Sequence, residues 1–125
     1  MRILLIEDDE NVAELLADAF AADGHEVAIA YTGEDGLARL ARDRPDAIVL
    51  DIRLPRLDGV AVLRQIRAAD PGLPVIIMTG LATVGELAEI RHLGVTEVIE
   101  KPELLKHFGE ALARIAQQNS SQDAT

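Results

Sequence analysis

Short apolar runs that do not alternate are separated along this chain by segments whose apolar residues recur every three or four positions. The first run, residues 2–7 (RILLIE), ends in an acidic cluster and predicts a strand covered on both faces. Val12, Leu15, Leu16, Ala19 and Phe20 follow at helical spacing, and Gly24 stands where that helix stops. Residues 26–30 predict a second strand; Thr32, with Asp35 three positions on, can cap a helix carrying Leu37 and Leu40 that ends before Pro45. Residues 47–50 are apolar throughout and close on Asp51, which predicts a third, buried strand. A loop with Pro55 and Gly59 leads to a helix with Val62, Leu63 and Ile66 on one side, and residues 70–74 are rich in turn formers. Residues 75–78 predict a fourth strand, Thr83 and Glu86 cap a helix bearing Leu87 and Ile90, Gly94 ends it, and residues 95–99 predict a fifth strand. Pro102 suits a first helical turn, and Leu104, Leu105, Phe108, Leu112 and Ile115 then form one stripe.

Five strands alternating with five helices make parallel neighbours joined by right-handed crossovers the economical solution. The expected fold is a three-layer α/β sandwich, flavodoxin-like, with a five-stranded parallel sheet in the order 2-1-3-4-5. Residues 1–118 are expected to form one domain and residues 119–125 a flexible tail or the start of a linker, because the apolar periodicity fades from Gln117.

Composition narrows the function. A chain of 125 residues can bury roughly two thirds of its unfolded surface, and 49% apolar with 27% charged residues is an ordinary globular balance. The absence of cysteine excludes a disulfide scaffold, a thiolate zinc site and a cysteine nucleophile. A formal net charge of −10 repels phosphate backbones and anionic lipid, and Phe20, Tyr31 and Phe108 are too few aromatics for a base-stacking platform. No direct nucleic-acid binding is expected, and with no long apolar segment no membrane insertion; the expectation is a soluble cytoplasmic protein.

The chemistry appears when polar residues are placed on this scaffold. Glu7, Asp8 and Asp9 leave strand one, Asp51 strand three, Thr79 strand four and Lys101 strand five, all at carboxyl ends that share one edge of a parallel sheet. Ligands bind open sheets of this kind where the strand order reverses, here between strands one and three, so Glu7, Asp8 and Asp51 are expected to meet. Like charges at ~4 Å repel by on the order of 4 kcal/mol at an effective dielectric of ~20, so a cation must be recruited. Oxygen-only donors select a hard divalent ion, and a site that keeps several waters suits Mg²⁺. A carboxylate beside such an ion can attack phosphorus, with Lys101 and Thr79 available to the phosphoryl oxygens. Plainer alternatives stand beside each reading. Asp51 could simply close a strand, Glu7 and Asp8 could serve the dipole of the first helix, Thr79 could be an ordinary strand residue, and Lys101 could be solvated. Asp58 is assigned to a helix cap, and His25, His92 and His107 show no metal-binding spacing.

The strings ILLIEDDE, IVLDIRLPRLDG, PVIIMTG and VIEKP, in this order, resemble the receiver domain of bacterial two-component response regulators over about residues 2–116. The resemblance implies that Asp51 is phosphorylated from a phosphohistidine of a histidine kinase or histidine phosphotransfer protein, that Glu7 and Asp8 are the acidic pair, Thr79 the switch hydroxyl and Lys101 the family's lysine. It also implies that the carbonyl of Arg53 completes the metal shell and that Arg53 and Leu81 gate water access. Such a chain is a phosphorylation-dependent switch acting on a downstream effector, not an enzyme with turnover, although it can slowly release its own phosphate. Two rivals are an aspartyl-phosphate phosphatase and a receiver-like interaction module that is never phosphorylated. Val98 stands where the family usually has an aromatic ring, Gly80 replaces the commoner alanine and Glu103 follows Pro102 where many DNA-binding relatives have Phe. The expected switch is therefore carried by the loop after Thr79 and the fourth helix.

Overall fold

The computed structural model describes residues 1–80, 82–100, 111 and 113–118. Five strands, β1 (Arg2–Ile6), β2 (Glu26–Ala30), β3 (Ala47–Asp51), β4 (Val75–Thr79) and β5 (Glu97–Glu100), form one parallel sheet in the order β2-β1-β3-β4-β5. Four helices, α1 (Glu10–Ala22), α2 (Gly33–Arg42), α3 (Gly59–Ala69) and α4 (Val84–Leu93), connect them, and the described residues from 111 to 118 belong to a fifth helix. The expected architecture and strand order are those observed.

The continuous apolar runs form strands because both faces of the sheet are covered. Every residue of β3 and β4 is buried. Leu4, Ile6, Ile48, Leu50, Val75 and Ile77 point to one face, where Leu63 and Ile66 of α3 and Ile90 of α4 cover them. Ile3, Leu5, Val49, Ile76 and Met78 point to the other, against Ala13, Leu16 and Phe20 of α1 and Ala111 and Ile115. At about 25 cal/mol per Å² of apolar surface, these two cores are the main source of stability.

The caps follow the local chemistry. Thr32 accepts from the Asp35 amide, Asp58 from the Ala61 amide, and Thr83 closes a capping box with Glu86. Gly24 lies just past α1 with a φ of 90°, and Gly94 caps α4 with a φ of 88°; glycine adopts these values without a Cβ penalty.

Three expectations shift. Leu15 is 57% exposed, and the inward face of α1 uses Ala13 instead. Strand β5 begins at Glu97, because Val95 and Thr96 still form the lead-in from α4, with the Thr96 amide donating to the Val75 carbonyl. Gly59 is the first residue of α3 rather than part of the preceding loop. Leu104, Leu105, Phe108 and Leu112 lie outside the described residues, as do residues 119–125. No helix among the described residues is long and apolar enough to cross a membrane.

Candidate functional site

Register builds the site. Ile6 is paired with Leu50, so the next residues, Glu7 and Asp51, emerge side by side where the strand order reverses. Both are fully buried, whereas Asp8 is exposed at the mouth. Each of the three offers a carboxylate oxygen, and these oxygens lie within 4.8 Å of one another. The Glu7 amide donates to the Ala30 carbonyl at 3.0 Å, which ties the acidic turn to β2. Asp9 does not join the trio: it is the N-cap of α1, accepting from the amides of Asn11 at 2.9 Å and Val12 at 3.1 Å. With the cap taken by Asp9, helix capping does not account for Glu7 and Asp8.

Asp51 is held from its own loop. The Arg53 amide donates to Asp51 Oδ1 at 3.0 Å, and Ile52 continues the ladder by donating to Met78. The Gly59 amide donates to the Ile52 carbonyl at 2.9 Å, so α3 begins in contact with the end of β3. A Cβ at position 59 would overlap the Asp51 carbonyl oxygen and the Ile52 Cα. Only glycine permits this approach. Thr79 closes β4 one residue beyond Met78, which pairs with Asp51. Its Oγ1 is buried and has no hydrogen-bond partner among the described residues, an arrangement that costs free energy unless some state supplies one. Lys101 and Leu81 lie outside the described residues.

One contact was not foreseen. The Arg53 guanidinium grips both oxygens of Glu86, Nη2 to Oε1 at 2.8 Å and Nη1 to Oε2 at 3.2 Å. The same Oε1 accepts the Thr83 amide at 2.9 Å. That amide, with further help from Arg53, holds the Glu86 carboxyl below the usual carboxylate range. Sequence reading found Glu86 only as a cap; a pairing across thirty-three positions leaves no local periodic signal.

The donor set fits a hard divalent cation. It is made of oxygen alone, and two buried carboxylates in one crevice need a positive partner. His25 lies before β2 at the opposite edge of the sheet, where burial holds its imidazole below the usual range. His92 is exposed on α4, and His107 lies outside the described residues. Neither described histidine belongs to the acidic group.

Known proteins bear on this geometry. The response regulator receiver domain family matches residues 3–113. Response regulator MprA of Mycobacterium leprae is 41% identical over 115 residues, 92% of this chain and 49% of that protein. MprA of Mycobacterium bovis is 34% identical over 124 residues, 99% of this chain and 54% of that protein. The chain thus spans about half the length of these curated relatives. Among solved structures, a CheY-like response regulator receiver domain protein from Methanospirillum hungatei superposes with a TM-score of 0.90 at 26% identity, covering 96% of this chain and 97% of that one. The non-phosphorylated HemR receiver domain from Leptospira biflexa does so with a TM-score of 0.84 at 34% identity, covering 91% and 92%. Sequence and fold agree over nearly the whole chain, which therefore belongs to the response regulator receiver domain family, the phosphorylatable switch of two-component signalling.

Proposed function

We propose that Asp51 is the phospho-acceptor of this receiver domain and that its donor is the phosphohistidine of a histidine kinase or histidine phosphotransfer protein. The observation that carries the reading is the burial of the Asp51 carboxylate at the end of β3, with oxygens of Glu7 and Asp8 within 4.8 Å. Glu7, Asp8, Asp51 and the Arg53 carbonyl would hold Mg²⁺. When bound, the ion supplies charge neutralisation for the incoming phosphoryl oxygens.

The chain's own residues do the rest. An Asp51 carboxylate oxygen forms the new bond to phosphorus while the phosphorus–nitrogen bond of the donor breaks and imidazole leaves. The Arg53 amide, donating to Oδ1, keeps the carboxylate in one orientation. The Thr79 hydroxyl, buried without a partner among the described residues, is available to donate to a phosphoryl oxygen. Lys101 supplies a compensating charge. With Val98 half-buried against the core in place of an aromatic ring, the change is read through the loop after Thr79 and α4. The result passes to a downstream effector. The domain works in the cytoplasm as a switch with slow self-dephosphorylation rather than as an enzyme with turnover.

Incubation with acetyl phosphate and Mg²⁺ tests this. The wild type should gain the mass of one phosphate and Asp51→Asn should not. A modification that persists in Asp51→Asn would overturn the assignment.

A further inference from the structure

The root of Arg53 is fixed at the site, because its amide donates to Asp51 Oδ1, while its long side chain reaches away to Glu86. The Arg53 side chain is 49% exposed. Although bidentate, the pair is open to solvent on the arginine side, and a stronger anion beside Arg53 can displace it. A phosphoryl group on Asp51 would place a stronger, nearly dianionic acceptor beside the same residue.

Glu86 is tied at two points. Its Oε1 accepts from Thr83 and from Arg53, so the first turn of α4 is joined to the β3–α3 loop through one carboxylate. The apolar anchorage of α4 is lighter than that of α3: Ile90 is its only buried residue, with Leu93 partly buried against the core, whereas α3 has five buried residues. Among the described residues its other polar ties include the Arg64–Glu89 pair and the Arg67 Nε bond to the Gly94 carbonyl at 2.8 Å, both further along the helix. Among the described residues, Arg53 is thus what ties its N-terminal turn to the β3–α3 loop.

On the reading of Asp51 as the phospho-acceptor, on which this proposal rests, the geometry points to Arg53 as a positioning residue that exchanges anions. It holds Glu86 while Asp51 is unmodified and turns to the phosphoryl group once Asp51 is phosphorylated. The exchange frees the first turn of α4 from the β3–α3 loop and leaves the Thr83–Glu86 cap in place. It provides a readout that needs no aromatic ring at position 98. Coupling is reciprocal, so Glu86 competes with the phosphoryl group for Arg53, and removing its charge strengthens the hold on that group.

The test uses beryllofluoride with Mg²⁺ as the phosphoryl mimic, fluorine NMR to count bound mimic, and the Arg53 Nε–H and Thr83 amide resonances as readouts. In the wild type, loading should move the Arg53 Nε–H signal. Glu86→Gln keeps an acceptor for the Thr83 amide but loses the negative charge; it should bind the mimic about three- to tenfold more tightly. Its Arg53 Nε–H signal should have left the wild-type position before any mimic is added. Glu89→Gln, which removes a charge from the same helix but pairs with Arg64, should bind the mimic within twofold of wild type. An Arg53 signal unmoved by loading, a Glu86→Gln affinity within twofold of wild type, or an equal gain in Glu89→Gln would overturn the exchange. No bound fluoride in the wild type would instead overturn the parent reading of Asp51, and this one with it.

Discussion

Gly59 begins α3 directly against the backbone of Asp51, so close that a Cβ would overlap the Asp51 carbonyl oxygen. The start of α3 and the end of β3 are therefore one mechanical unit. Gly59→Ala should destabilise the fold by about 2–4 kcal/mol through overpacking of atoms that are backbone and cannot swing aside. Urea unfolding measures the loss. A variant as stable as wild type would show that α3 can slide.

Thr79→Val removes a buried hydroxyl that has no partner among the described residues. The substitution should leave stability unchanged or raise it by up to about 1 kcal/mol, because an unsatisfied polar group is lost and the shape is kept. The same variant should hold the phosphoryl mimic more weakly. Thermal unfolding and mimic titration, run side by side, separate the two effects; a clear loss of stability would mean that the hydroxyl has a partner in solution.

Magnesium should stabilise the wild type by mass action, by about 2.7 kcal/mol at one hundred times its dissociation constant. Asp51→Asn keeps Glu7 and Asp8 but loses one anionic donor of the trio, and it should gain less at the same concentration. Equal gains would place the ion elsewhere.

Acid should weaken the fold partly through Asp70. Its carboxylate accepts from Arg44 and from the Gly72 amide, and the Arg44 bond above all holds it below the usual aspartate range. The folded carboxylate thus binds a proton less readily than the unfolded one. Its contribution is complete above about pH 4, the unfolded value, and disappears as pH falls through the lower folded value. Arg44 is more than half exposed, so the amount is modest, about 0.5 kcal/mol. Asp70→Asn should be less stable than wild type at pH 6, and the gap should close toward pH 2.

Strand ends and caps were legible because their signals are local. An apolar run closing on an acid, as at Ile6–Glu7 or Leu50–Asp51, both ends a strand and, in a parallel sheet, brings the acids to one edge. Leu15 misled because the three-to-four spacing continues on both sides of the inward stripe, while Ala13 carries too little apolar weight to stand out. Val95 stands in the stretch expected as the fifth strand together with Val98 and Ile99, yet it belongs to the lead-in from α4, since only pairing with β4 decides where β5 starts. The Arg53–Glu86 pair and the Gly59 contact are products of tertiary approach, and composition and spacing say nothing of either.

The sheet divides the molecule into two packing compartments, with α1 on one side and α2, α3 and α4 on the other. The acidic pocket sits on the rim common to both. A rearrangement confined to the α4 compartment can proceed without repacking Ala13, Leu16 and Phe20 beneath α1. The outward surface of α1, Leu15 included, then looks the same to an approaching protein before and after the switch. Substitutions on that surface and substitutions around α4 can consequently act independently of one another.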